Sequence, residues 1–456
     1  TKIVATISDR RCSVEFIRQL YRNGMNVVRL NSAHQTLEGA REIVENVRAV
    51  SPEIAIMMDT KGPEIRTLPR DEPLAVAEGD TLRLCGPAGK GTSIPVSYPE
   101  IAFDVPPGSR ILIDDGDISL MALERDGEEL VCRVLDSGEI AGRKGVNIPN
   151  VHMDLPAVSE RDREYIAFAA ENGLDFIAHS FVRSEKDVME VQEILERIGS
   201  SLKVIAKIEN RSGVENVDKI LDYAYGVMVA RGDLAVELPF ETVPGIQKAL
   251  VKKCIERRKP VIIATQMLHS MIEEPRPTRA EVNDVAGAIY DQADAIMLSG
   301  ETAVGRYPVE AVKAMASIAH EVEKSKPPIN DIPVKVINNP VSSFLIKAAV
   351  EAAVELEAKA IIADTTSGRT IRSLSAYRGR RTIFAQCYKW ETVRHLALSY
   401  GVRARFMEPG NVSRDFVENS LSQLLEKGSF HREDLVVVVA GNFGRSKGVS
   451  FVEVGT

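Results

Sequence analysis

The chain runs to 456 residues, 44% of them hydrophobic, which is enough for two to four domains with cores of their own. Its 57 Lys and Arg against 65 Asp and Glu leave a net charge of −8, so neither a basic nucleic-acid surface nor a polybasic membrane patch is expected. Five scattered cysteines without a CxxC pair, no leader ahead of a strand that starts almost at Thr1, and no apolar run longer than Leu435–Ala440 predict a reduced, cytoplasmic protein without disulfides, structural zinc or a membrane span.

Eight short, β-branched apolar runs begin near residues 2, 26, 55, 176, 203, 226, 260 and 295: KIVATI, NVVRLN, AIMMDT, FIAHSF, KVIAKI, GVMVAR, PVIIAT and AIMLSG. All but one of the spacings suit a strand plus one crossover helix. Helices are predicted between them, among others over Val14–Arg22, Ala40–Ala49, Ser159–Glu171 and Ile246–Arg257. Near-continuous apolar strands alternating with helices mean a parallel sheet covered on its outer face, and eight such units mean a (β/α)8 TIM barrel, here over 1–66 and 155–325.

The long gap after the third run holds residues 67–154, rich in Gly, Pro and Asp turns and in short alternating stretches. It reads as a small β-barrel domain inserted above the C-terminal mouth, where a lid belongs. After a linker at Lys326–Pro328 and Asn338–Pro340, strands near 359–364, 382–386, 402–406, 434–440 and 449–454 predict an open α/β domain over 341–456.

In such barrels the working residues stand at the C-terminal strand ends. Six of the eight ends are polar here: Arg29 and Asn31, Asp59 and Lys61, Lys207 and Glu209, Arg231 and Asp233, Thr265 and Gln266, Ser299 and Glu301. Lys207 and Glu209 are two apart on one strand, so both face the same way. An ammonium and a carboxylate facing one interior are costly unless each has a task. With Asp233 at the next strand end, they suggest a divalent metal and an anionic, phosphorylated substrate.

The segments GMNVVRLN (24–31), MDTKGPEIRT (58–67), KGVNIP (144–149), AKIEN (206–210), VARGDLAVELP (229–239), ATQML (264–268), PTRAEVNDVA (277–286) and IMLSGETAVGRYP (296–308), in this order and around a β insert, resemble the pyruvate kinase family over essentially the whole chain. The resemblance implies transfer of the phosphoryl group of phosphoenolpyruvate to ADP, giving pyruvate and ATP, with Mg²⁺ (or Mn²⁺) and K⁺ as cofactors.

By resemblance Glu209 and Asp233 match the Mg²⁺ ligands, Lys207 the lysine at the transferring group, and Arg29 and Arg66 the phosphate-contacting arginines. Ala230, Arg231, Gly232 and Asp233 form a turn before a predicted helix, whose backbone N–H groups suit the substrate carboxylate. Thr265 matches the residue near the enolate methylene, with Ser299 or a relayed water as other proton sources. Asn31, His34, Arg66 and Lys144 match nucleotide contacts, and Asn31, Asp59 and Thr60 match K⁺ ligands. Many members have Ser where this chain has Ala33, which predicts altered K⁺ affinity; Glu64, in place of the Lys of K⁺-independent members, predicts K⁺ dependence.

In the last domain Thr365, Thr366, Ser367, Gly368, Arg369 and Thr370 follow a strand and open a helix, a phosphate cradle in chemical type. The resemblance implies a phosphorylated effector there, closed over by Arg445 and Lys447, and a homotetramer. A Mg²⁺-dependent lyase or mutase acting on phosphoenolpyruvate or pyruvate is the competing enzyme class, and a non-catalytic sensor the competing binding role.

Overall fold

The computed structural model describes every residue except 89–92, 115, 152, 336–338, 409–421, 423–430, 432, 442–447 and 456. Eight parallel strands close into a barrel in chain order: β1 (Lys2–Thr6), β2 (Val27–Asn31), β3 (Ala55–Asp59), β4 (Phe176–His179), β5 (Lys203–Ile208), β6 (Gly226–Ala230), β7 (Val261–Ala264) and β8 (Ala295–Leu298). They are the eight apolar runs. Inward side chains such as Val4, Met57, Phe176, Ile205, Met228 and Met297 fill the interior, and outward ones pack under the helices. A barrel filled in this way is a core, which confines chemistry to its ends.

Helices start where a side chain takes an orphan N–H. Ser13 accepts from Phe16 N ahead of Val14–Arg22, and Thr36 accepts from Gly39 N ahead of Leu37–Val50, three residues earlier than periodicity predicts. Ser159 is a cap, not a helical residue, and forms a capping box with Asp162 at the head of Glu160–Glu171. The fully buried Asp162 carboxylate also accepts from Lys61 N at 3.0 Å, which ties the loop after β3 to this helix.

Between β3 and β4 the chain builds the lid. Strands Ile65–Arg66, Thr81–Cys85, Ile94–Pro95, Arg110–Ile113, Ile118–Asp126, Glu129–Val134 and Gly145–Asn147 make one seven-stranded sheet. Its two ends meet through a Thr67–Val96 bridge, with Ser97 N donating to Arg66 O at 2.8 Å, so the sheet curls on itself around Leu84, Ile111, Leu120 and Leu130. Ile65–Arg66 pairs with Gly145–Val146, so Arg66 rides on the lid sheet.

The last domain is an open sheet of β9 (Ala360–Thr365), β10 (Thr382–Cys387), β11 (Val402–Phe406), β12 (Val436–Gly441) and β13 (Val449–Gly455) in the order 11-10-9-12-13, with β13 antiparallel. It plugs the barrel's N-terminal end: Leu398 is fully buried among the barrel's interior side chains. Two buried ion pairs fasten it, Arg378 to Asp294 and Arg394 to Asp175, both at 2.6 Å. Those acids immediately precede β8 and β4. The floor is therefore closed, and the opposite mouth, under the lid, is left for chemistry. Among the described residues no helix is long and apolar enough to cross a membrane, and all five cysteines are buried and unpaired.

Candidate active site

Lys207, on β5, points into the mouth. Its Nζ lies 3.0 Å from Asp59 Oδ1, 3.0 Å from Glu209 Oε1 and 2.6 Å from Ser180 Oγ. All four side chains are buried. Burial alone would lower the lysine's pKa, but the charges of Asp59 and Glu209 outweigh it and hold the ammonium above its usual range. Glu209 is pushed up to about 7, first by burial and then by the like charge of Asp233, with Lys207 opposing. A buried carboxylate whose proton affinity is raised by a second carboxylate calls for a cation. Among the described residues no three His, Cys, Asp or Glu side chains form a self-sufficient metal cage. The Glu209–Asp233 pair thus suits an ion that takes one or two carboxylates and completes its shell with substrate and water oxygens, as Mg²⁺ does.

Arg29, on β2, donates from Nε to Asp59 Oδ2 at 2.6 Å and from Nη1 to Thr6 Oγ1 at 3.1 Å. Asp59 is therefore shared by the two cations, Arg29 and Lys207, and its pKa falls below the ordinary value although burial alone would raise it. In the barrel register Asn31 stands beside Asp59, and Asn31 Oδ1 accepts from Ala33 N at 3.1 Å. Thr60 turns its hydroxyl inward, where it accepts from Ser180 N at 3.1 Å, and its carbonyl accepts from Ser180 Oγ at 2.6 Å. The K⁺ expectation thus has three neighbouring oxygen-bearing residues, with no hydroxyl at Ala33.

Around β6 the structure departs from expectation in two respects. The helix begins at Arg231 and ends at Glu237, so Gly232 and Asp233 sit in its first turn and not in a turn before it. The Gly232 N–H, expected to face a substrate carboxylate, donates to Thr265 Oγ1 at 2.8 Å. The Arg231 guanidinium is turned aside into a two-pronged pair with Asp284 at 2.6 and 2.7 Å and donates to Thr265 O. Thr265 itself has φ 70°, a left-handed conformation that costs a β-branched residue about 1–3 kcal/mol and is found where position matters more than comfort. Ser299 N donates to Glu301 Oε2 at 2.8 Å, and the other oxygen of that buried carboxylate accepts from Leu268 N, locking the ends of β7 and β8 together.

A cavity of about 730 Å³ opens between lid and barrel. Arg66, Arg143 and Lys144 line it from the lid, and Phe181, Arg183, Arg211 and Asp233 from the barrel. Arg66 donates to Glu64 at 2.6 Å and to Arg143 O at 2.7 Å, and Lys144 pairs with Asp114 at 2.5 Å. Both pairs are partly solvent-exposed and therefore weak enough for a competing anion to displace. His34 is exposed beyond β2 and outside the residues that line this cavity.

In the last domain Thr365 Oγ1 accepts from Gly368 N at 2.8 Å, and Gly368, with φ 77°, heads the helix Arg369–Ala376. Thr366, Ser367 and Arg369 are exposed and Thr370 half-buried around that start. Arg445 and Lys447 lie outside the described residues.

Sequence reasoning passed over the ends of β1 and β4. Thr6 bridges Arg29 to Leu298 O, while Ser180 and Phe181 hold Lys207 and Glu209. The signal was thin: KIVATI and FIAHSF each close on an apolar residue, with Thr6 and Ser180 one position before it.

A closed parallel barrel whose lidded mouth gathers two cations and three carboxylates defines a barrel enzyme for metal-chelated, anionic substrates. The profile described as "Pyruvate kinase, barrel domain" matches residues 1–312, and "Pyruvate kinase, alpha/beta domain" matches 344–454. The chain is 44% identical to a pyruvate kinase of Borreliella burgdorferi over all of this chain and 97% of the relative. It is 41% identical to one of Bacillus licheniformis, over all of this chain and 80% of the relative, and 43% identical to one of Geobacillus stearothermophilus, over 97% and 77%. The chain belongs to the pyruvate kinase family.

Proposed function

We infer that this chain is a pyruvate kinase in activity: it transfers the phosphoryl group of phosphoenolpyruvate to ADP, giving pyruvate and ATP in glycolysis. The observation that carries this reading is the Lys207 ammonium fixed 3.0 Å from Glu209 and beside Asp233, which itself lines the cavity under the cation-bearing lid, in a chain of this family. A lyase or mutase on the same fold class has no use for a lid that presents Arg66 and Lys144 to a second phosphate-bearing substrate.

Phosphoryl transfer through a loose transition state needs alignment and charge neutralisation more than covalent help. Glu209 and Asp233 are the residues to hold Mg²⁺, which supplies charge neutralisation on the phosphoryl oxygens. Arg29 and Arg66 grip the phosphate, Arg66 after leaving Glu64. Lys207 faces the transferring group and the enolate oxygen. The 230–233 segment is the place for the substrate carboxylate, once that carboxylate competes with Thr265 for the Gly232 N–H. The enolate takes its proton at C3 from a water that Thr265 positions, because a lone hydroxyl is a poor acid.

Arg66 and Lys144 serve the nucleotide from the cavity they line, and Asn31 and His34, outside that lining, are assigned to it by resemblance alone. Asn31, Asp59 and Thr60 hold K⁺, with water in the place a hydroxyl at 33 would take. A phosphorylated effector at Thr365–Thr370 is supported by the exposed polar loop at a helix start. A homotetramer is supported by unpaired apolar side chains on the helix Pro340–Glu355, where Val341 and Phe344, one turn apart, are 64% and 70% exposed. The setting is cytoplasmic. Pyruvate release from phosphoenolpyruvate and ADP, read through lactate dehydrogenase, tests the activity directly; absence of turnover with Mg²⁺ and K⁺ present refutes it.

A further inference from the structure

The turn after β4 has no task in the reaction as derived above, yet it touches both key charges. Ser180 is 2% exposed; its Oγ accepts from Lys207 Nζ at 2.6 Å and donates to Thr60 O at 2.6 Å. One residue on, the Phe181 N–H donates to Glu209 Oε2 at 2.6 Å, and Phe181 has φ 54°, a conformation a bulky residue adopts only under constraint. The constraint is visible. Gly62 lies against this turn so closely that a Cβ there would sit 2.8 Å from both the Phe181 ring and Ser180 Cβ.

An ammonium has three N–H bonds. Two of those of Lys207 go to Asp59 Oδ1 and Ser180 Oγ, while Glu209 Oε1, 3.0 Å away, is an ion-pair partner. Of the three partners, Glu209 is the one with another use. When its carboxylate turns to a metal ion, Lys207 keeps both hydrogen-bond anchors, and its third N–H has a set direction. With Asp59 as the only remaining anchor, the same ammonium would swing about a single contact.

We propose that Ser180 is the positioning residue for Lys207, and that the Ser180–Phe181 turn keeps the lysine and Glu209 in register, so that with Glu209 given to the metal the third ammonium N–H is aimed at the migrating phosphoryl group. This rests on the phosphoryl-transfer reading and adds to it a device for coupling metal binding to lysine availability.

The test uses the full-length protein and the variants Ser180→Ala and Ser180→Cys. Mn²⁺ affinity is measured by electron paramagnetic resonance without substrates, and kcat, KM for phosphoenolpyruvate and Tm are measured in parallel. For Ser180→Ala, kcat falls about 10- to 100-fold, while Mn²⁺ affinity and KM stay within about threefold and Tm within about 5 °C. Ser180→Cys, equal in shape but a weak acceptor, loses at least about tenfold and decides the matter if the alanine variant does not fold. Either folded variant within threefold of the parent in kcat overturns the proposal, as does a loss of kcat matched by an equal loss of metal affinity. A parent without pyruvate kinase turnover sinks the underlying reading instead, so the two failures are distinct.

Discussion

Lys207 Nζ and Glu209 Oε1 stand 3.0 Å apart at the mouth of the barrel, two residues apart at the C-terminal end of β5 and both nearly sealed from solvent. Strand alternation alone aims them the same way. Their separation sets a fixed positive charge against a carboxylate that the proposed function also assigns to a metal, which is the central electrostatic feature of the site.

Lys207→Met tests that feature. Removing a preorganised charge at a phosphoryl-transfer centre lowers kcat on the order of 10³-fold or more. Asp59 keeps Arg29, so the fold and phosphoenolpyruvate binding persist. Circular dichroism and steady-state rates measured together check this; a variant within tenfold of the parent would assign the lysine a structural role.

Glu64 bridges Lys61 and Arg66 at 3.6 and 2.6 Å, so no lysine ammonium replaces a monovalent ion at position 64. If K⁺ is held as proposed by Asn31, Asp59 and Thr60, K⁺ titration gives a saturable rise in activity. Full rate in buffers free of both K⁺ and Na⁺ contradicts the expectation.

His395 lies between Phe176 and Tyr225, with ring centroids 5.7 and 6.1 Å away. Burial, helped by Lys203, Arg372 and Arg394, pushes its pKa down to about 3. In the unfolded chain an imidazole titrates near 6.5. Below that pH the unfolded state binds a proton that the native state refuses, so this histidine costs stability progressively as pH falls from about 6.5 toward 3. At pH 5 the loss is about 2 kcal/mol. Urea titrations of His395→Phe at pH 7 and pH 5 should show a smaller pH difference than the parent by about that amount; equal differences would absolve His395.

Asp294→Ala strands Arg378 in a buried place, its side chain 3% exposed. Breaking one side of such a pair costs about 3–5 kcal/mol, and the loss falls on the contact between barrel and last domain. A lower Tm together with faster proteolysis after residue 325 is the expected outcome. Leu398→Ala, which empties a fully buried site at the barrel floor, costs about 2–5 kcal/mol. An unchanged Tm in both would mean the two domains do not stabilise each other.

The sequence alone determined the eight strands, their order, the lid's place after β3 and the charged strand ends. Each of those follows from local pattern: apolar runs of strand length, helix-length spacings, and polar residues where a buried strand meets water. It also set Lys207 and Glu209 on one face, because a strand alternates with period two. Only the tertiary structure decided which groups share a partner. That Arg29 and Lys207 both take Asp59, that Arg231 is drawn off into Asp284, and that Thr265 occupies the Gly232 N–H depend on contacts between elements distant in sequence, in the first case across 148 residues of chain between Lys207 and Asp59. The Ser180–Phe181 grip is of the same kind. A neutral serine and an amide hydrogen leave no mark in composition or charge pattern, and they become decisive only where the closed barrel brings β3, β4 and β5 side by side.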